Sequence, residues 1–286
     1  VKHSSHNKEQ LTTALLLAAG MGSRLYPLTE NAPKCMTIVN DQSILERLIS
    51  SLNHHGFKRL IIVTGHLENN IRDYLRDKAG GLEIEYVFSP LYRTTNNIYS
   101  LWMARKAINE PFLLLESDLI FDESLLKGML YPNRIAVAKM QPWMNGTCVT
   151  INQSKQVETF LLDNEDSFGM IKYKTVNIYS LSLNSWNEIV KRLDKRISEG
   201  KVNDYYETIF SEMVVDSSLF FESVSFDEGP WYEIDTVEDL AEAEMLFSSD
   251  NYSVTSAFSF SQPDLFVNAV ISPMEEKGAL HATKKI

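Results

Sequence analysis

The sequence predicts a three-layer α/β fold, a mostly parallel sheet with helices on both faces. Three observations predict it. Short aliphatic or β-branched runs alternate with amphipathic stretches of helical length, as βαβ crossovers require. The first run, 13–19, is almost wholly apolar, as a strand buried on both faces should be. Three runs are followed at once by Gly20, Gly65 or, one residue further on, Asp118. That places these residues on the rim where such sheets bind ligands.

Each element follows in chain order. After the strand at 13–19 and its glycine loop, 43–52 carries apolar residues at helical spacing, and Gly56 is a fitting stop. Residues 60–65 read as a second strand, 67–78 as a helix and 82–88 as an alternating third strand. A helix over 98–107 leads into a fourth strand, 112–116. In the second half, 134–140 and 147–150 read as strands joined by a loop carrying Pro142 and Trp143. Then come a strand at 174–180, a helix over 184–198 stopped near Gly200, a helix over 205–213 and a strand at 219–225. The run 231–235 is expected to close the sheet. Thr236 and Asp239 have capping-box spacing for a last helix reaching about Phe247.

At 286 residues the chain suits one large domain with tails. The division is an N-terminal tail at 1–12, a domain at 13–249 and a C-terminal extension or linker at 250–286, where the composition turns to Ser, Asn, Asp and Thr. No apolar run is long enough to span a bilayer, and the polar first ten residues resemble neither a signal peptide nor an anchor. The expectation is no membrane partner. A net charge of −11 argues against nucleic acid, because no basic face meets a phosphate backbone. Two cysteines, Cys35 and Cys148, offer at most one disulfide and no zinc spacing. A reduced, cytoplasmic setting is the default.

The chemistry-bearing stretch begins at Gly20-Met21-Gly22-Ser23-Arg24-Leu25. Leucine at position 25 stands where a dinucleotide fingerprint needs glycine or alanine, and no Gly-Lys-Ser/Thr follows to make a P-loop. What remains is a glycine turn whose backbone N–H groups can meet phosphate oxygens or a base edge. The apolar strand 112–116 runs into Ser117 and Asp118, a hard oxygen ligand at the rim. Glu116 shares a face with Asp118 by strand alternation; it is a metal contact, a helix cap or a buried partner for a base. Glu233 and Asp235 likewise share one side of a strand. Beside Trp231 and Ile234, unpaired acids would be costly there.

Taken further, Gly20-x-Gly22-x-Arg24-Leu25-x-Pro27-Leu28-Thr29-x-x-x-Pro33-Lys34 resembles the signature of nucleotidyltransferases that activate sugar phosphates and phosphoalcohols. The Glu233-Ile234-Asp235 ending and the Asn96-Asn97-Ile98-Tyr99-Ser100-Leu101 run are most similar to the choline-phosphate and 2-aminoethylphosphonate cytidylyltransferases. The resemblance covers about 13–248. It implies a Rossmann-like sheet of the nucleotide-diphospho-sugar transferase type with a smaller acceptor-binding subregion.

It also implies site residues. Arg24 and Lys34 would be the catalytic cations on the triphosphate. Leu17, Ala18, Ala19, Gly20, Met21, Gly22 and Ser23, with Gly65, Asn97 and Ser117, would surround the nucleotide. Asp118 and Asp235 would hold Mg2+. For the acceptor, Asn96, Trp143, Lys174, Asn177, Tyr205, Tyr206 and Glu233 are expected, with aromatic faces available to an ammonium group. Asp204 and Glu207 are further carboxylates that an amine could pair with. The implied partners are CTP and a small phosphate or phosphonate acceptor. UTP or dTTP with a sugar 1-phosphate stays open as the alternative, as does a catalytically silent nucleotide-binding subunit. A homodimer, and fusion to or association with a pyridoxal-phosphate enzyme, are compatible with the resemblance.

Overall fold

A computed structural model describes residues 10–142, 144–161 and 171–248. The compact unit formed by these residues ends at Ser248. Strand β1 (Thr13–Ala18) is buried at every position, and its alternation feeds two separate cores. Ala14 and Leu16 face one; Leu15 and Leu17 face the other. β2 (Ile38–Val39) and β3 (Gln42–Ser43) form a small hairpin before α1 (Ile44–His54), whose N-cap Ser43 accepts from the Glu46 amide. β4 (Arg59–Thr64), α2 (Glu68–Leu75) and β5 (Glu83–Phe88) complete two parallel crossovers. α3 (Asn97–Met103) is shorter than its periodicity predicts, because the turn Ala104–Lys106 tightens to a 3-10 helix.

β6 (Phe112–Glu116) pairs parallel with β1. β7 (Leu119–Phe121) follows after two residues. The 3-10 helix Glu123–Met129, capped by Asp122, leads to β8 (Arg134–Lys139). β9 (Cys148–Ile151) and β10 (Val157–Leu161) form an antiparallel pair, the second of which the sequence reading passes over. β11 (Tyr173–Leu181), α4 (Leu183–Ser198), α5 (Glu207–Val215), β12 (Glu222–Ser225), β13 (Trp231–Glu233) and α6 (Val237–Leu246) complete the described elements.

The central order is β10-β9-β11-β6-β1-β4-β5, with β8 on β11 and β12 on β8. β5, β4, β1 and β6 run parallel. Beyond β6, β11 runs antiparallel and carries β8 and β9 with it. One face packs on α1 and α2 through Leu45, Leu52, Ile71 and Leu75. The other packs on α3, α4 and α5 through Leu101, Trp186, Ile189 and Phe210. This is the three-layer arrangement, and at about 25 cal/mol per Å2 such burial dominates its stability.

One expectation is overturned. The run 231–235 does not close the main sheet; β13 pairs only with β7, in a two-stranded antiparallel ribbon. The reason is a third, smaller core of Leu25, Val39, Ile44, Ile120, Ile234, Ala243 and Phe247. Ile120 from the ribbon and Ile234 beside it turn away from the main sheet into this cluster, where α6 covers them. The predicted capping box of Thr236 and Asp239 opens α6. Cys35 and Cys148 are both free and buried. No helix among the described residues is long and apolar enough to cross a membrane.

Candidate active site

The glycine loop leaves β1 and is held by what packs under it. Gly22 sits at φ +61, and a Cβ there would come 2.9 Å from Thr29 Cγ2 and 3.2 Å from Lys34 Cβ. Only glycine meets both the backbone angle and the close approach. The Thr29 hydroxyl donates to the Gly22 carbonyl at 2.9 Å. Leu25 is fully buried in the third core, and Pro33, in extended conformation, starts the 3-10 turn that carries Lys34. Loop and lysine are therefore one packed unit.

Asp118 lies just before β7 and Asp235 just after β13, so the antiparallel ribbon brings both carboxylates to one end. The Ile234 amide donates to the Asp118 carbonyl at 2.9 Å and fixes that register. Lys34 Nζ donates to Asp118 Oδ2 at 2.8 Å and to Asp235 Oδ1 at 2.5 Å. Arg24 reaches Asp235 Oδ1 at 2.9 Å from a largely exposed position. Burial pulls the Lys34 ammonium down, but the two carboxylates more than offset it, so its pKa lies above the ordinary lysine value. Asp118 Oδ1 is buried and has no hydrogen-bond partner. A pair of carboxylates with one oxygen unpaired suits a hard cation such as magnesium, which takes its other ligands from water and phosphate. Among the described residues no group of three or more potential ligands converges.

Because β11 runs beside β6, its residues line the side of the Asp118 strand end opposite the glycine loop. The β11–β8 register shifts between Thr175 and Tyr179, and within that irregularity Asn177 takes φ +57. Asparagine tolerates this left-handed angle better than most residues. The bulge aims its amide at Glu233, donating to Oε1 at 3.3 Å. Lys174, almost fully buried, pairs with Glu233 Oε2 at 3.1 Å. Burial raises the Glu233 pKa, against the pull of Lys174.

Deeper in this wall, Asn97 Nδ2 donates to Glu116 Oε1 at 3.1 Å, and Asn97 Oδ1 accepts from the Tyr206 amide at 3.1 Å. Burial, then the charges of Asp118 and Glu207, push the Glu116 carboxyl up to about 8. Burial pushes Glu207, the first residue of α5, up to about 7.

These residues enclose a cleft of about 530 Å3. Its wall includes Leu17, Ala19, Gly20, Gly22, Ser23 and Arg24 from β1 and the glycine loop, Lys34, Ser117, Asp118 and Asp235, and Asn96, Asn97, Lys174, Asn177, Tyr205 and Glu233. Four residues expected at the site are placed elsewhere. Ala18 turns into the core. Met21 is exposed and outside the cleft lining. Gly65 lies beneath the loop, where a Cβ would come 2.6 Å from the Ala19 carbonyl oxygen and 2.8 Å from Tyr92. Tyr206 is fully buried, its ring packed against Tyr179 and Phe210, so it presents no face to a ligand. Trp143 lies outside the described residues.

The sequence reading missed Tyr92, Thr95, Ser100, Thr208 and the Asn145–Thr147 loop, all of which wall the cleft. For the last there was a signal: Asn-Gly between two apolar runs is a turn dipeptide. Gly146, at φ +92, leaves room for Lys174 Nζ, 3.1 Å from where its Cβ would be.

Comparison with known proteins gives a consistent picture. Residues 13–160 match the sequence model of the family described as nucleotidyl transferase. The chain is 29% identical over 246 residues to the CMP-5'-(3-aminopropyl)phosphonate synthase of Streptomyces rubellomurinus, covering 82% of this chain and 38% of that protein. Against a choline-phosphate cytidylyltransferase of Streptococcus pneumoniae it is 25% identical over 244 residues, covering 83% and 99%. The chain thus spans well under half of the first relative and nearly all of the second. Its fold matches the solved CTP:phosphocholine cytidylyltransferase of Streptococcus pneumoniae with a TM-score of 0.72 at 24% identity, covering 84% of this chain and 100% of that one.

Proposed function

The chain belongs to the nucleotidyl transferase family, and from that premise we propose that it transfers CMP from CTP to a small phosphorylated amino alcohol or aminophosphonate, releasing pyrophosphate. The observation that carries the reading is the Lys34 bridge between Asp118 and Asp235. It sets a fixed cation and two carboxylates between a glycine loop and a polar acceptor end. The choice of cytidylyl draws on the two relatives above, whose names specify a CMP-phosphonate and a choline phosphate.

In the proposed reaction an acceptor oxygen forms a bond to the α-phosphorus as the bond to the β-phosphate oxygen breaks, and pyrophosphate carries the electron pair away. A phosphate or phosphonate oxygen is already anionic near neutral pH, so no strong general base is needed. The chain supplies position and charge. Backbone amides of the glycine loop face the phosphates, and Arg24 and Lys34 neutralise charge on the triphosphate. A magnesium ion held by Asp118 and Asp235 would supply further charge neutralisation at the phosphates. The remaining expected contacts divide by role: Ser23, Asn97 and Ser117 for the nucleotide, Asn96, Lys174, Asn177, Tyr205 and Glu233 for the acceptor.

Pyrophosphate release with each of CTP, UTP, dTTP, ATP and GTP, against phosphocholine, phosphoethanolamine, 2-aminoethylphosphonate and glucose 1-phosphate, tests the reading. CTP with an amino-bearing acceptor is the expected pair. Turnover confined to UTP or dTTP with the sugar phosphate would favour the alternative, for which the adjacent Lys174 and Asn177 in the cleft wall are the supporting observation. Asp118→Ala and Asp235→Ala should each lower magnesium-dependent turnover by at least about two to three powers of ten. Full activity in either removes that residue from the metal site.

A further inference from the structure

Both carboxylates at the end of the ribbon share one ammonium group. Lys34 Nζ donates to Asp118 Oδ2 at 2.8 Å and to Asp235 Oδ1 at 2.5 Å. The other Asp118 oxygen, Oδ1, is buried and meets no donor. One Asp118 oxygen thus lies under the lysine and the other is closed to solvent. The side chains of Lys34, Asp118 and Asp235 are 12%, 14% and 16% exposed, while that of Arg24, which also reaches Asp235 Oδ1, is 67% exposed. Solvent screens the arginine and hardly touches the lysine. The base of the lysine stem is clamped: its Cβ and Cδ lie 3.2 and 3.6 Å from where a Gly22 Cβ would stand. What freedom remains lies at the far end of the stem.

A divalent cation would need these same oxygens. Magnesium sits about 2.0–2.1 Å from each carboxylate oxygen it takes, closer than the ammonium does, and two cations on one pair of oxygens repel strongly where water is scarce. Lysine and metal are therefore rivals. Nor can the ammonium simply withdraw, because a shielded charge without a partner is costly. It needs another anion within reach. Lys34 lines the same cleft as Gly20, Gly22 and Ser23, where the triphosphate oxygens of the proposed reaction would lie. A compact ammonium with three rotatable donors can exchange carboxylate for phosphate there.

We propose that Lys34 is an internal counter-ion that keeps divalent metal off Asp118 and Asp235 until a triphosphate takes the ammonium over. Metal and nucleotide then enter as a coupled pair, each favouring the other by the same factor. The triphosphate half rests on the transfer reading; the exclusion of metal rests on the three side chains alone. The carboxylate pair stays neutralised throughout, first by the lysine and then by the metal.

Binding of manganese(II), which shares magnesium's preference for carboxylate and water, tests this without turnover. Electron paramagnetic resonance counts the free ion in a titration of the full chain, first with no nucleotide present. Lys34→Met and Lys34→Gln should each bind the ion about tenfold or more tightly than the wild type, within the range usual for coupled sites. Adding Asp118→Asn to either should abolish the gain, and Arg24→Met should gain much less, since its charge is screened. Equal affinity in the wild type and a folded Lys34 variant overturns the proposal. So does an equal gain in Arg24→Met, which would make the effect one of net charge. Should neither Lys34 variant fold, the wild type decides: tight stoichiometric uptake without nucleotide overturns the proposal, and weak uptake supports it. The affinity for a CTP analogue whose α,β-bridging oxygen is a methylene is then measured with a chelator and with saturating magnesium. Magnesium should tighten the analogue more in the wild type than in Lys34→Met; chelation by the analogue in solution is common to both proteins and cancels. Equal tightening overturns the triphosphate half. Lys34 variants that gain metal, with no pyrophosphate release by the wild type from any nucleotide, would sink the transfer reading and leave the exclusion of metal standing.

Discussion

Lys34 joins two carboxylates that lie 117 residues apart in the chain, and both are mostly shielded from water. Without it, Asp118 and Asp235 would face each other with only the exposed Arg24 guanidinium beside them. Breaking a pair of this kind by removing one partner leaves like charges uncompensated. With a discount for partial exposure, Lys34→Met should cost about 1–3 kcal/mol of stability in the presence of a chelator. Magnesium should then raise the melting temperature of the variant more than that of the wild type, because the cation takes over the lysine's task. Scanning calorimetry with and without magnesium checks this, and equal shifts in both proteins would contradict it. The motif Pro33-Lys34 was legible in the sequence. The salt bridge was not, because nothing in spacing tells where a lysine's four-carbon stem will point.

Elements are where the sequence reading was strongest, although it passed over β7 and β10 and misplaced the run 231–235. Runs such as Leu60–Val63 and Phe112–Leu115 were legible because burial on both faces demands unbroken apolar residues. The ribbon of β7 and β13 was not, since three residues carry no measurable period and the partner lies far along the chain. The clue was Leu25, read as a departure from a dinucleotide fingerprint and as part of the nucleotidyltransferase signature, but not as a core residue. It is the buried anchor that ties the glycine loop to Ile120 and Ile234, the neighbours of both site carboxylates. Leu25→Ala should therefore cost about 2–5 kcal/mol and also raise the KM for nucleotide. Leu193→Ala in α4, an equal truncation in the opposite core, should cost similar stability and leave that KM unchanged. Steady-state kinetics beside denaturant melts on the two variants distinguish a local tie from general loosening.

At the scale of the whole molecule, the buried acids bind stability to pH. Burial raises the Glu207 carboxyl from its usual 4.5 to about 7, so between these values the folded chain holds a proton that the unfolded chain has released. Stability from this group must then fall as pH rises through that window and level off above it. At about 1.4 kcal/mol per pKa unit the loss is at most about 3.5 kcal/mol. Melting curves from pH 5 to 8 should show Glu207→Gln gaining on the wild type as pH increases; parallel curves would mean the carboxyl is already ionised at pH 5. This acid was hard to read from sequence because glutamate in a first helical turn is ordinary, and only the packing of α5 under the sheet makes it unusual. The ribbon has a last consequence, for biosynthesis. Asp118 emerges with the first half of the chain, but its partner follows β13, after every strand of the main sheet has been made. Pairing across so long a separation forms late. In chain order the nine-stranded sheet is complete at Ser225, and the second site carboxylate follows it, so a chain cut between these two points would keep every strand of the main sheet and lack half of the carboxylate pair.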